Sequence, residues 1–557
     1  LSRHDRKRKF YRLKNGDFVN MEENGLESLQ EVRQALQLTD KQLMQDKIEV
    51  PAYRMLYLDE TLQENAMMEV IRDVSFASRI EKLQNPDFKK DYVPDSLKGI
   101  LREYQKAGAA WIGMLYSNRF GGILADDMGL GKTLQVISFL LVEHTGCSLI
   151  VCPASLVYNW KHELERFAPS LKADMVTGNV QQRKEVLDRW KEVDVLITSY
   201  DLLRRDITDY QELHFFCEVI DEAQYIKNHG TQAARAVKQV QTGFRLALTG
   251  TPIENRLSEL WSIFDYLMPG YLYSYQRFRT ELEQPIVQHK DEDAAKRLQR
   301  LISPFVLRRL KKEVLQDLPD KLEENLYADM DGEQQELYDA HVRRMKLMLE
   351  EKSDEEIRTD KIEILAELTR LRQLCCDPAL LYDNYKGGSA KTELVRGLIR
   401  NAVENGHKVL LFSQFTTMLE RLYRILEEEK IASHMLTGAT PKEKRIEMVE
   451  SFAHDEVPVF CISLKAGGTG LNLTAADVVI HFDPWWNSAV QNQATDRAHR
   501  IGQKNVVNVY RILAKGTIEE KIVELQERKL QLSDRILGGE SLPAQGLTRV
   551  ELLELLR

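Results

Sequence analysis

The sequence predicts an α/β protein made of two tandem, doubly wound parallel-sheet lobes, with helical insertions and an N-terminal accessory module. Three observations predict it. Short apolar runs alternate with helical patterns over 98–270, and the same alternation returns over 389–516. A glycine-rich loop, Asp126-Asp127-Met128-Gly129-Leu130-Gly131-Lys132-Thr133, stands between the apolar run Phe120 to Ala125 and a helix-like stretch from Leu134 to Glu143. Apolar runs separated by helices imply strands buried on both faces of a parallel sheet.

The first unit, 1–97, reads as the accessory module. Phe10-Tyr11-Arg12-Leu13 and Phe18-Val19 flank Asn15-Gly16, a hairpin signal because both turn positions favour positive φ. Helix-like segments follow near Leu26 to Leu38 and Glu60 to Ile71. In 98–270 the expected strands are Phe120 to Ala125, Ser148 to Cys152, Val193 to Thr198, Cys217 to Ile220 and Phe244 to Leu248. The stretch 271–388 reads as helical insertion and interlobe linker, with Glu333 to Lys352 and Lys361 to Leu374 as helices. The second lobe, 389–516, carries Val409 to Phe412, Val459 to Ile462, Val478 to Phe482 and Val506 to Leu513. Residues 517–557 read as brace helices, with Ile518, Ile522, Leu525 and Leu530 on one face packed back onto a lobe.

Composition narrows the function. A formal charge of −9 argues against coating nucleic acid by bulk attraction, so any such contact is local. No apolar run approaches the roughly 18 residues that cross a bilayer, and the basic start, Arg3 to Lys9, has no apolar core behind it. The six cysteines show neither C-x-x-C pairing nor zinc spacing and read as reduced and buried. A chain that begins with Leu reads as a piece of a longer protein.

The glycine-rich loop fits nucleotide phosphates. Backbone N–H groups around Asp127, Gly129 and Gly131 and the following helix N-terminus would face the anion, Lys132 would reach the β and γ phosphates, and the Thr133 hydroxyl would ligate Mg²⁺. Asp221-Glu222-Ala223-Gln224 then closes an apolar strand. Asp221 would hold Mg²⁺ and Glu222 would position or deprotonate the attacking water. A solvated acidic turn is the bland alternative, and the order strand, loop, helix, second acidic strand end argues against it. In the second lobe, Gln493 to Gln503 sets Arg497 and Arg500 three residues apart, near one helix face, as candidate arginine fingers. His499 is better placed for packing or hydrogen bonding than for catalysis.

These motifs, with Leu101-Arg102-Glu103-Tyr104-Gln105, Leu248-Thr249-Gly250-Thr251-Pro252-Ile253-Glu254-Asn255, Ser463 to Leu473 and Asp483-Pro484-Trp485-Trp486-Asn487, make 98–540 resemble the Swi/Snf family of ATP-driven DNA translocases in helicase superfamily two. The segment around Tyr11 to Gly16 resembles what precedes the motor in bacterial members. The resemblance implies two RecA-like lobes, ATP and Mg²⁺ as cofactors, and movement along double-stranded DNA without strand separation. It further implies action on DNA-bound proteins by a monomeric, cytoplasmic motor, nucleoid-associated if bacterial. By it, Gln105 reads the adenine edge and Gly470 approaches the nucleotide. Gln224, Thr249, Gly250, Thr251 and Gln493 couple nucleotide state to DNA. Ser155, Thr198 and Lys227 contact DNA from lobe one; Ser413, Gln414, Thr437, Lys465 and Gly467 contact it from lobe two. Trp485 is a stacking candidate, although large aromatics after a strand more often pack. Gln224 stands where the family often has His, and Cys376-Asp377 and Ser488 also depart from common residues. A nucleotide-gated scaffold with little turnover and an RNA-tracking or strand-separating helicase remain as rivals.

Overall fold

The computed structural model describes residues 10–12, 18–20, 45, 47–48, 54–55, 58–59, 71–84, 92–250, 257–289, 291–315, 319–352, 360–467, 472–486 and 488–526. In the accessory segment β1 (Phe10–Arg12) pairs antiparallel with β2 (Phe18–Asn20), the hairpin expected around Asn15-Gly16. The turn itself and the helices expected over 26–38 lie outside the described residues.

Seven parallel strands build the first lobe. In chain order they are β3 (Gly122–Leu124), β4 (Ser148–Cys152), β5 (Ala173–Met175), β6 (Val195–Ser199), β8 (Glu218–Asp221), β10 (Arg245–Leu248) and β11 (Val306–Leu307). A separate two-stranded ribbon joins β7 (His214–Phe215) to β9 (Gln241–Thr242). The spatial order is β11-β3-β10-β8-β4-β6-β5. Leu248 of β10 pairs with Leu124 of β3 on one side and Asp221 of β8 on the other. Three loops therefore leave the carboxyl edge of the sheet side by side at one level, where ligands bind in open α/β sheets.

The second lobe has six parallel strands in the order β12-β17-β16-β13-β15-β14. These are β12 (Lys321–Ala328), β13 (Val409–Ser413), β14 (Ser433–Leu436), β15 (Val459–Ser463), β16 (Val478–His481) and β17 (Val507–Ala514). Both lobes are doubly wound, as the alternating pattern predicts, and RecA-like, as the family resemblance implies. The stretch 271–388 does more than the helical pattern indicates, because β11 becomes an edge strand of the first sheet and β12 an edge strand of the second. Edge strands with few apolar residues, such as β12 with only its last residue fully buried, do not stand out by hydropathy.

Apolar burial follows this division. One cluster fills the first lobe, while two others cover opposite faces of the second sheet through Leu411 and Ile480 on one side and Leu410 and Val479 on the other. A further cluster holds Tyr338, Met345 and Leu349 of the helix Gly332–Glu351 against Leu368 and Leu371 of the helix Lys361–Cys376. Ile518 and Ile522, on the helix 518–526, complete it. The brace thus packs mainly on the insertion helices, and Leu530 lies outside the described residues. All six cysteines are buried and unpaired, and burial pushes the Cys147 and Cys461 thiols up to about 12. Among the described residues no helix is long and apolar enough to cross a membrane.

Glu218 on β8 is fully buried, 3.5 Å from Arg245, and burial raises its carboxyl from 4.5 to about 8 against the pull of that arginine. Between those two pH values the folded state holds a proton that the unfolded chain has lost, so rising pH destabilises the fold across this window. Glu218→Gln is therefore expected to match the parent near pH 4.5 and to exceed it increasingly toward pH 8, by up to roughly 5 kcal/mol. Thermal unfolding across that range checks it, and a constant difference would sink the assignment.

Candidate active site

The loop after β3 takes its shape from its own backbone. Gly129 and Gly131 adopt φ of 84° and 73°, conformations in which a side chain is strained, and the helix Lys132–Val142 begins directly behind them. A Cβ on Gly131 would lie 2.4 Å from the Gln105 amide nitrogen, and one on Gly129 would lie 2.9 Å from Arg500 Cβ. Lys132 Nζ donates to Asp126 O at 2.6 Å and, more weakly, to Asp127 O at 3.5 Å. Thr133 is half-buried on the first turn of the same helix.

Gln105 is buried at the start of the helix Glu103–Ser117. Its Oε1 accepts from Arg102 N at 2.9 Å and its Nε2 donates to Leu130 O at 3.1 Å, so the amide ties the phosphate loop to that helix. Asp127 Oδ2 accepts from the Lys311 backbone N–H at 3.0 Å.

At the end of β8, Asp221 Oδ2 accepts from the Trp160 indole at 2.9 Å and Oδ1 from Glu222 N at 2.9 Å. Burial first, then the Glu222 charge, pushes the Asp221 carboxyl up to about 6. A cation at this carboxylate would relieve both penalties. Glu222 takes the left-handed conformation, φ 53° and ψ 58°, strain that persists only where its surroundings enforce it. Gln224 Nε2 donates to Glu222 Oε2 at 2.7 Å, and Thr249 Oγ1 donates to Gln224 Oε1 at 3.0 Å. One amide thus joins the acidic strand end to the loop after β10. Gly250 lies against Met128 of the phosphate loop, where an added Cβ would meet Met128 Cγ at 3.0 Å. Thr251 falls outside the described residues.

The second lobe closes over this edge. Arg497 is buried, and its guanidinium is lowered to about 10 by burial and then by Arg500, while the charges of Glu222, Asp496 and Asp221 oppose the shift. Arg500 lies over Gly129, and burial lowers it against the attraction of Glu163 on the helix Val157–Phe167. His499 Nε2 meets Pro319 O at 2.9 Å, the hydrogen-bonding role the sequence suggests. Gln493 is buried on the helix Ser488–Thr495.

The candidate DNA residues divide by exposure. Thr198, next to last in β6, and Ser413, last in β13, are fully buried, with their hydroxyls bonded to Val176 O at 3.4 Å and to Asp483 Oδ1 at 2.5 Å. Ser155, Lys227, Gln414 and Thr437 are half-buried on loops at the carboxyl edges of the sheets. Lys465 and Gly467 belong to the short helix Leu464–Gly467, and Gly470 lies outside the described residues. Trp485 and Trp486 are partly buried and flank Arg372, whose Cζ lies 5.7 and 5.8 Å from their ring centroids. Arg372 also donates to Pro484 O, so the tryptophans pack an insertion helix onto lobe two.

Several contributors escape local reading. Trp160 fixes Asp221 from 61 residues away. Arg309, 183 residues from the phosphate loop, donates its Nε to Asp126 Oδ1 at 2.9 Å and its Nη2 to Gln135 Oε1 at 2.8 Å. Lys311 Nζ, buried, donates to Asp496 Oδ1 at 2.5 Å and to His499 O at 2.6 Å. Only the Leu307-Arg308-Arg309-Leu310-Lys311-Lys312 run of basic residues hints at them, and a surface charge run reads the same way.

Two RecA-like lobes, with a phosphate loop and an acidic strand end on one and paired arginines from the other, define a helicase-type core. The SNF2-related domain matches residues 104–380, the helicase conserved C-terminal domain 390–502 and the bacterial SNF2 helicase associated segment 1–94. The chain belongs to the Swi/Snf family and is a member of its bacterial kind. An uncharacterized ATP-dependent helicase of Mycoplasma genitalium is 41% identical over 82% of this chain, and one of Mycoplasma pneumoniae is 39% identical over 91%. The chain spans 44% and 49% of those relatives, about half of each. The solved Sulfolobus solfataricus SWI2/SNF2 ATPase core in complex with dsDNA shares 37% identity, covering 79% of this chain and 93% of that one, at a TM-score of 0.41. The fold therefore rests on the strand orders above, not on that superposition.

Proposed function

We propose that the chain is an ATP-dependent translocase on double-stranded DNA, hydrolysing ATP between its lobes and remodelling or displacing protein–DNA complexes without separating strands. The observation that carries this reading is the approach of Arg497 and Arg500 to the Asp221-Glu222 strand end and the phosphate loop.

Lys132 leaves the carbonyls of Asp126 and Asp127 for the β and γ phosphates, while the N–H groups of the Gly129–Gly131 turn hold their oxygens. Thr133 and Asp221 would hold Mg²⁺, which supplies charge neutralisation at those oxygens. Glu222 orients the attacking water and takes its proton, and Arg497 and Arg500 stabilise the charge developing on the transferred group. A change of charge or contact at Glu222 is felt by Gln224 and passed to Thr249, Gly250 and Thr251. In this reading Gln105 turns from Leu130 O toward an adenine edge and Gly470 nears the lobe interface with Gln493. Ser155, Lys227, Gln414, Thr437, Lys465 and Gly467 meet DNA phosphates, contacts that carry no sequence information. Thr198 and Ser413, being buried, shape the strand ends beneath that surface. Trp485 acts through packing.

The test is steady-state ATP hydrolysis with no nucleic acid, single-stranded DNA, duplex DNA and structured RNA, with Glu222→Gln as the blank. Stimulation by duplex DNA, lost in the variant and abolished at high salt, is expected. Equal rates in all four conditions would move the reading to a nucleotide-gated scaffold, and a preference for RNA would move it to a helicase.

A further inference from the structure

The chain crosses from one lobe to the other between β11 and β12, and the start of that crossing grips both catalytic halves. Arg309 secures it to lobe one, through Asp126, Gln135 and the Tyr104 carbonyl. Backbone bonds from Ala125 N to Leu307 O, 2.7 Å, and from Asp127 N to Arg309 O, 3.0 Å, run the segment alongside the phosphate loop. Two residues later Lys311 turns to lobe two. Its own N–H stays on Asp127, while Nζ reaches Asp496 and the carbonyl of His499, which lie on either side of Arg497 and directly before Arg500. Farther along, Pro319 O binds the His499 ring, so the crossing meets the arginine segment at two points.

We infer that Lys311 is a positioning residue that docks the arginine segment of lobe two onto the phosphate loop. The inference rests on the proposed hydrolysis between the lobes and adds how the arginines are brought into place. An ammonium buried against one carboxylate and one carbonyl, on a segment already bolted to lobe one, has no slack to follow lobe two away. Opening the cleft must break these bonds, so closure is written into the covalent crossing as well as into the ligand. The lysine touches neither phosphate nor water in this role.

The experiment combines a double-mutant cycle with a distance measurement. All six native cysteines are buried, so dyes can be placed at Lys184→Cys on lobe one and Glu428→Cys on lobe two. Without nucleotide, Lys311→Met is expected to lower interlobe energy transfer and Lys311→Arg to retain it. In steady-state assays with duplex DNA, Lys311→Met and Asp496→Asn should each lower kcat roughly tenfold with KM for ATP little changed, and the double variant should lose no more than either single one. Unaltered energy transfer in a folded Lys311→Met protein, or fully additive losses in kcat, would overturn the inference. Should the parent protein prove inactive toward ATP, the proposed function fails on that result, while energy transfer still decides whether Lys311 holds the lobes together.

Discussion

Arg497→Ala is expected to lower kcat for ATP hydrolysis by roughly 10³- to 10⁵-fold, the range found when an arginine finger is removed from a phosphoryl-transfer site. The size of the effect follows from where the guanidinium sits. It is buried, has a second arginine beside it, and is opposed by the carboxylates of Glu222, Asp496 and Asp221. A buried cation next to developing negative charge works at low dielectric with no reorganisation, so its removal is costly. Affinity for ATP should change little, because the phosphate loop and Lys132 belong wholly to the first lobe. Equilibrium binding of a fluorescent ATP analogue beside single-turnover hydrolysis separates the two. A fall in kcat of less than about tenfold would mean that Arg497 serves lobe packing rather than the transition state.

Lys391→Met is expected to destabilise the second lobe by about 3–5 kcal/mol, the cost of stranding one partner of a buried ion pair. Lys391 and Glu519 are both 0% exposed, and the ammonium reaches the two carboxylate oxygens at 2.9 and 2.8 Å. Glu519 also accepts from Ala514 N at 2.9 Å, so the pair ties the helix Ala390–Glu404 to the end of β17 and to the helix after it. With Lys391 gone, Glu519 keeps its desolvation but loses its counterion, so it must stay ionised and unpaired or be forced to take up a proton. Adding Glu519→Gln to Lys391→Met should recover much of the loss, since the second charge is then removed as well. Urea unfolding of the parent, the single variant and the double variant reads this directly. Equal stability of the single variant and the parent would mean that water reaches the pair, contrary to its burial.

Legibility in the sequence tracks the range of the interactions concerned. The hairpin, the phosphate loop and the Asp221-Glu222 strand end could be read because each depends on neighbours within a few residues: turn glycines, an apolar run, a helix start. Strands such as Ser148–Cys152 announce themselves because a strand buried on both faces must be apolar throughout. Ala173–Met175 and Lys321–Ala328 are edge strands with one open side, and their partly polar residues erase that signal. Trp160 and Arg372 gave no local sign of their roles, and the basic run around Arg309 and Lys311 gave only one that a surface charge run shares, since an indole, guanidinium or ammonium is the same in sequence whether it ends in solvent or against a carboxylate 61 or 185 residues away.

The sequence by itself determined the two-lobed α/β architecture and the residue types of the candidate site, because hydrophobic periodicity and glycine-loop backbone chemistry are local properties, and its ordered motifs carried the resemblance to the Swi/Snf family. Tertiary structure alone decided which lobe elements meet. Parallel register set the loops after β3, β8 and β10 on one edge, and Gln224 bridged Glu222 to Thr249. The crossing through Lys311 brought Arg497 and Arg500 to that edge. Such juxtapositions are made by packing whole lobes, and the long-range pairs that fix their register lie far apart in sequence, so no window of sequence contains them.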